Sequence, residues 1–415
     1  MKYYVVFVIA LFSVGTAVAQ TAISPENLES LLKEKNTRVS AAKLNVEAAE
    51  SRTGYLGRSF IPSVDLYASQ ESFKMGQAEQ KNQPTYGAEV RLNLFNGGAD
   101  RLENDVRHLE VSKRGFQSQK TVAEELLKAR NLYWQMSFLT KKKELLGKTL
   151  DLNSSNLQGA LKRIRSGVAT DSDRFEFEMK DVDLRRELKQ TDLELQNLSQ
   201  EMNLILNLPP DNGYKLTQEL GHEHEFIKEL KPQEGQNSFW YLEQQTEAEQ
   251  KTLSAQQSGR SLWPKLEAFA GYNQYNEREK EYPESSDRTE SVVGLRLRLN
   301  LADGFTALQD SSSYKKQALA EQRLAEFQKN SLSVALENET RRLHFLHDQV
   351  HEAEENINRA ERYYKLTQSE YARGVKNSPD VLGAAEKLYE RRHKYFEILR
   401  DFQLSRSQAL AVLGK

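Results

Sequence analysis

The chain has 415 residues, with 58 Lys and Arg against 60 Asp and Glu and no cysteine. A net charge of −2 leaves no basic footprint for nucleic acid, and the missing thiols exclude disulfides and an acylated lipoprotein N-terminus. No mature segment approaches the ~20 apolar residues that a membrane-spanning helix needs.

Lys2, the apolar run Val5 to Phe12 and the small-residue site Ala17-Val18-Ala19 predict a secretory signal peptide over 1–19. An exported chain without a helical span can enter a membrane only as a barrel. Pro62 ends any preceding helix and pushes its neighbour to extended geometry. Val64, Leu66 and Ala68 then alternate with polar residues, which predicts a strand over 63–73. A polar loop, Lys74 to Thr85, carries Pro84. Tyr86, Ala88, Val90, Leu92 and Leu94 alternate with Gly87, Glu89, Arg91, Asn93 and Phe95, which predicts a second strand over 86–95. Such lengths match the ~9–11 residues that cross a membrane at a tilt. On alternation alone, a soluble hairpin packed on a core is an equal reading.

Gly97-Gly98 marks the return to helix. No proline interrupts Asp100 to Arg165, a helical span of roughly 100 Å at ~1.5 Å per residue. Leu132, Met136, Leu139, Lys143, Leu146, Leu150, Asn153, Leu157, Ala160 and Ile164 keep a 4-3 spacing, a coiled-coil seam. Near 165–171 the turn breaks at Gly167, with Thr170 or Asp171 as N-cap of a returning helix.

Four landmarks then recur at an offset of 207 residues: Leu94 to Leu301, Gly167 to Gly374, Asp173 to Asp380, Leu206 to Leu413. The first repeat is placed at 20–207, a linker at 208–236 and the second repeat at 237–415. After Pro264 the second copy predicts strands over 265–275 and 291–301, separated by a polar loop, Asn276 to Glu290, with Pro283. Its helical seam runs through Leu343, Leu346, Val350, Ala353, Ile357, Ala360, Tyr364, Thr367 and Tyr371. Its turn, near 373–379, offers Ser378 as N-cap and Pro379 at the first helical position. A unit this long is a duplicated supersecondary block rather than a solenoid repeat.

Two histidine groups invite a metal reading. His344, His347 and His351 share a helical face near Glu354, and His222-Glu223-His224 lies in the linker. The spacing is permissive rather than diagnostic, and Arg341, Arg342 and Glu352 mark a solvated face. Neither group is assigned a metal, no cofactor is implied, and no phosphate-binding loop or Ser–His–Asp set indicates an enzyme.

The chain resembles the outer-membrane efflux protein family, the TolC-type channels. The resemblance is carried by Ile61-Pro62-Ser63-Val64-Asp65-Leu66, Leu92-Asn93-Leu94-Phe95-Asn96-Gly97-Gly98, the Gly167-Val168-Ala169-Thr170 turn with Asp173, and their weaker second copies. It implies a mainly helical protein with a small β part. Long antiparallel coiled-coil helices would form a periplasmic tunnel, and four strands per chain would enter the twelve-stranded barrel of a homotrimer in outer-membrane lipid.

The function implied is a passive exit duct of a tripartite efflux system. It would be coupled through a periplasmic adaptor, or membrane fusion, protein to an inner-membrane pump of RND, MFS or ABC type. The same duct in type I protein secretion, or a soluble periplasmic coiled-coil scaffold, are the alternatives. In the family, two aspartates three residues apart can line the periplasmic constriction. The first falls on Asp380 and the second on Gly383, a departure that removes one acidic ring. Lys376 lies where relatives carry a basic gate residue, and Gly167, Val168, Gly374 and Val375 are the implied adaptor-docking tips. Asp380 as a first-turn carboxylate complementing the helix dipole is the competing reading.

Overall fold

The computed structural model describes residues 20–73, 81–223, 226–227, 238–276, 287–301 and 303–414. The expected signal peptide, residues 74–80 and 277–286 of the two loops, and His224 of the linker lie outside the described residues.

In chain order the elements are β1 (Gln20–Ile23), α1 (Leu28–Lys35), α2 (Thr37–Glu50), the single turn α3 (Tyr55–Arg58), β2 (Ser63–Phe73) and β3 (Lys81–Asn96). Then come α4 (Ala99–Arg165), α5 (Asp171–Ile205), β4 (Gly213–Leu216) and α6 (Phe239–Gly259). The chain continues with β5 (Lys265–Asn276), β6 (Asp287–Arg298), α7 (Thr306–Ala372) and α8 (Ser378–Val412). α4 and α7 are each 67 residues long, and α5 and α8 each 35. All four boundaries of one pair fall 207 residues before those of the other. The fold is therefore mainly helical with a small β part, as expected. Among the described residues no helix is long and apolar enough to cross a membrane.

The chain divides into two compact units that cut across the two repeats: Met1–Ser40, Thr121–Glu234 and Ser333–Lys415 form one, Ala41–Lys120 and Gly235–Leu332 the other. In the first unit the predicted seams are largely inside. Leu132, Met136, Leu139, Leu146 and Ala160 are buried from copy one, and Leu343, Leu346, Val350, Tyr364 and Tyr371 from copy two. Part of the predicted linker is structured, because β4 pairs in parallel with β1 (Gln20↔Gly213 to Ile23↔Leu216). The fully buried Tyr133 secures that region. Its hydroxyl donates to the Gln218 carbonyl at 2.9 Å and accepts from the Gln218 N–H at 2.8 Å.

The second unit holds one four-stranded antiparallel sheet, ordered β2-β3-β5-β6, so β2 and β6 are its edges. Its register puts Val64, Val90, Ala270 and Val293 in one cross-strand row, and Leu92, Ala268 and Leu295 in another. These rows share a face by the period of two. That face is open, with Leu66 80% and Val293 85% exposed. The other face carries ion pairs: Arg91 with Asp65, and Arg296 with Glu267 at 2.7 Å. On it the Tyr67 hydroxyl reaches over Gly87 to Asn273, and a Cβ at Gly87 would lie 2.5 Å from both side chains.

Two strand limits differ from expectation. β3 starts at Lys81 and runs through Pro84, a residue the sequence pattern puts in a loop. Pro84 faces Gln70 of β2, whereas pairing with β5 begins only at Thr85. On the β5 side its missing N–H leaves no ladder bond unmade. β6 spans 287–298 instead of 291–301, because its last partner is Lys265, opposite Arg298. Leu299 and Leu301 thus lie past the strand, while Leu92, the copy-one counterpart of Leu299, is paired with Ala268.

The Leu92 to Gly98 motif also has a local task. The buried Asp100 in the first turn of α4 accepts from Asn93 Nδ2 at 2.8 Å and from Asn96 Nδ2 at 3.3 Å. This fastens the end of the strand to the start of the helix. Ion pairs then bind α4 to α6, with Lys113 2.7 Å from Glu247 and Lys120 3.3 Å from Glu243.

Candidate functional site

The α4–α5 and α7–α8 turns, both in the first unit, carry the predicted tip residues. Gly167 (φ 74°) and Gly374 (φ 81°) are left-handed, a conformation an L side chain resists. Behind each, two bonds close the helix end: Gly167 N–H to Ile164 O at 3.0 Å with Val168 N–H to Arg163 O at 3.0 Å, and Gly374 N–H to Tyr371 O at 3.0 Å with Val375 N–H to Glu370 O at 2.9 Å. This is a Schellman stop, made twice. It turns the next residue outward, so Val168 is 61% and Val375 70% exposed. Apolar side chains presented this way can meet a partner surface.

The helix starts after the two turns share a backbone and differ in chemistry. In copy one Thr170 is the N-cap, and its N–H donates to Asp173 Oδ2 at 3.0 Å. In copy two the N-cap is Asn377 rather than the expected Ser378. Asn377 Oδ1 accepts from the Asp380 N–H at 3.1 Å while Asp380 Oδ2 accepts from the Asn377 N–H at 3.2 Å. This reciprocal box needs an acceptor three residues on, which selects Asn377 with Asp380 over Ser378. Pro379 accordingly falls one place inside the first turn.

Ser378, relieved of capping, is buried and turns to the other hairpin. Its hydroxyl donates to Asp173 Oδ1 and lies 3.4 Å from Glu176 Oε2. Burial alone would raise the Asp173 pKa, but the bonds from Ser378 and Thr170 outweigh it and hold the carboxyl below its ordinary range. One turn away the Arg163 guanidinium donates to the Tyr371 carbonyl at 2.9 Å and stacks 4.1 Å from the Tyr371 ring. Deeper still, Asn156 donates to the Tyr364 hydroxyl at 3.2 Å, and Lys180 pairs with Glu386 at 3.0 Å. Tyr364, Tyr371, Val381, Ala384 and Leu388 form the apolar cluster between them.

The predicted gate pair is modest by contrast. Lys376 Nζ stands 3.9 Å from Asp380 Oδ1 of the same turn, both half-exposed. Such a pair contributes at most about 1 kcal/mol. Of the predicted residues, the structure gathers Lys376 and Asp380 at one turn, with Gly374 and Val375 just before them. Sequence reasoning missed the cross-hairpin set Ser378, Asp173, Arg163 and Tyr371. The only available signal was that two capping residues, Asn377 and Ser378, stood side by side where one suffices.

The histidines regroup. His344 is exposed and stands apart, while His222 of the linker joins His347 and His351, with one nitrogen from each lying within 4.8 Å of the others.

Comparison with known proteins agrees with this architecture. The family model described as outer membrane efflux protein matches residues 28–177. No curated protein sequence matches. Among solved structures, CusC, described as forming a transmembrane channel, is 12% identical over 94% of this chain and 91% of its own, with a TM-score of 0.79. The outer membrane protein VceC from Vibrio cholerae is 16% identical over 94% and 96%, with a TM-score of 0.73. The Campylobacter jejuni CmeC outer membrane channel is 12% identical over 99% and 94%, with a TM-score of 0.73. At these identities the likeness shows a common fold, the TolC-type arrangement of long helices and a small sheet.

Proposed function

We propose that this chain, similar to outer membrane efflux proteins over residues 28–177 and sharing the fold of outer-membrane channels, is a passive outer-membrane exit duct. The observation that carries the reading is the sheet. One face presents Val64, Leu66, Val293, Leu295 and Leu297 to the surroundings, while the other carries Asp65, Arg91, Glu267 and Arg296. A soluble hairpin packed on a core would hide that apolar face. An apolar outside and an ionic inside is the arrangement of a membrane barrel wall.

Four strands do not close such a wall. The outer edges of β2 and β6 have no neighbour among the described residues, and each unsatisfied backbone group in lipid costs several kcal/mol. Known membrane barrels have at least about eight strands, so copies must share one. The internal repeat supports the joint: β3 meets β5 on the side where β6, its copy, is open. Placing β2 of a neighbouring copy there continues the wall from chain to chain, and the homotrimer implied by the family resemblance would close it with three times four strands.

At the turns, Val168 and Val375 beside Gly167 and Gly374 are the surface for a periplasmic adaptor, and an inner-membrane pump supplies the energy. Three copies of Asp380 form an acidic ring favouring cations. Opening the constriction separates hairpins held by Ser378–Asp173 and Arg163–Tyr371. Efflux is tested by deletion. Sensitivity to small toxic molecules is expected, restored by the wild-type chain but not by Gly374→Trp, which leaves the trimer intact. Unchanged sensitivity with loss of a secreted polypeptide would instead assign the duct to type I secretion.

A further inference from the structure

We infer that His222, His347 and His351 form a binding site for a divalent transition-metal ion that favours imidazole ligands, with Zn2+ as its representative. Nothing in the duct reading requires such a site, and the inference stands or falls independently of it.

His347 and His351 are four residues apart on α7, so both rings project from one face. His222 comes from the segment after β4, 125 residues earlier (347 − 222). The ring centroids are 5.2 Å apart for His222–His347, 5.5 Å for His222–His351 and 4.9 Å for His347–His351. Three imidazoles bound at ~2.0–2.1 Å around one tetrahedral ion have centroids roughly 5 Å apart. The observed triangle is close to that, with one nitrogen from each ring inside 4.8 Å of the others.

The third ligand is held in place by α8. Gln403 Nε2 donates to the Gly221 carbonyl at 2.6 Å, and Arg406 pairs with Glu223 at 3.1 Å. The Phe402 ring meets His222 edge-on at 6.2 Å. Both residues flanking His222 are thus fixed, and the Arg406 charge is engaged by Glu223 rather than directed at the ion. Beside His351, Glu354 Oε2 lies 3.8 Å from its Nδ1, and the Tyr395 hydroxyl donates to Glu354 at 3.2 Å.

His222 and His347 are half-buried and His351 is exposed, so the fourth position opens to water. An all-nitrogen set without thiolate suits Zn2+, Ni2+ or Cu2+ and not Mg2+ or Ca2+. Bound there, the ion staples residues 221–223 to α7.

The test uses the full mature protein purified in detergent without a polyhistidine tag. Zn2+ is titrated against a chelating dye, and Co2+ is added to read its visible spectrum. The expected result is one ion per chain, with intense tetrahedral-type Co2+ bands. His222→Gln, His347→Gln and His351→Gln should each weaken Zn2+ binding at least tenfold. His344→Gln, on the same helix but outside the triangle, should leave it unchanged. Thermal unfolding without metal confirms that each variant is folded. Wild-type affinity in folded His222→Gln would overturn the inference, since the helix pair alone would then explain binding. An equal loss in His344→Gln would overturn it as well.

Discussion

Copy one and copy two share the boundaries of their long helices at one constant offset, yet they differ at three places that decide their contacts. The end of β3 is paired with β5 as far as Asn96, whereas β6 ends at Arg298 and its far edge has no neighbour among the described residues. Asp173 accepts a bond from the opposite hairpin, whereas Asp380 serves its own helix. Gly98 (φ 78°) holds the left-handed start of one long helix, whereas Phe305 (φ 67°), 72% exposed, holds the other. Duplication set the frame, and each copy then took on one side of a contact. The two strand edges, like the two turns, are complementary rather than equivalent.

The largest effect should come from the open edge and its apolar face. Val293→Arg puts a cation among residues read as facing lipid, at a cost of about 2–4 kcal/mol per chain if it sits near the bilayer midplane. Loss of heat-modifiable trimer from outer-membrane fractions measures it. Arg296→Val, on the ionic face, should change assembly by less than about 1 kcal/mol. Equal effects from the two would erase the distinction between the faces.

Next comes the cross-hairpin bond. Ser378→Ala and Asp173→Asn should each cost about 1–2 kcal/mol, and the double variant less than their sum, because the Ser378–Asp173 bond is counted in both. Melting curves and single-channel conductance, with more frequent opening, are the readouts. Since the Asp173 pKa is lowered on folding, its contribution is fully present above the unfolded carboxylate pKa. It is lost as pH falls through the lowered value. Acid should therefore loosen the wild type in that window and affect Asp173→Asn less.

Asp380→Ala should cost about 0.5–1 kcal/mol through the lost capping box. Unlike any change at Asp173, it should lower cation selectivity in planar bilayers. An unchanged selectivity ratio would leave Asp380 a helix cap alone. The smallest effect is a gain. Phe305→Gly should stabilise by up to about 1 kcal/mol by relieving the left-handed aromatic residue, whereas Gly98→Ala should destabilise by a similar amount.

How much of this was legible follows from how far each contact reaches along the chain. β2 was read to its last residue, because Pro62 and the alternation after it are local signals. The turns at Gly167 and Gly374 were legible for the same reason. Pro84 misled, because whether proline fits a strand depends on the neighbour it lacks, which lies on β5. The end of β6 misled likewise, since its sequence continues to alternate after its partner has stopped. Asn377 could have been preferred over Ser378 by asking which has an aspartate three residues on. The Ser378–Asp173 bond, 205 residues apart in sequence, and the meeting of His222 with His347 carry no local pattern.

The account rests on shared closure, and the mass of the complex tests it most directly. Native mass measurement of the detergent-extracted mature protein should give three times the chain mass, with none of it released in the soluble periplasmic fraction. A freely soluble single chain would contradict it.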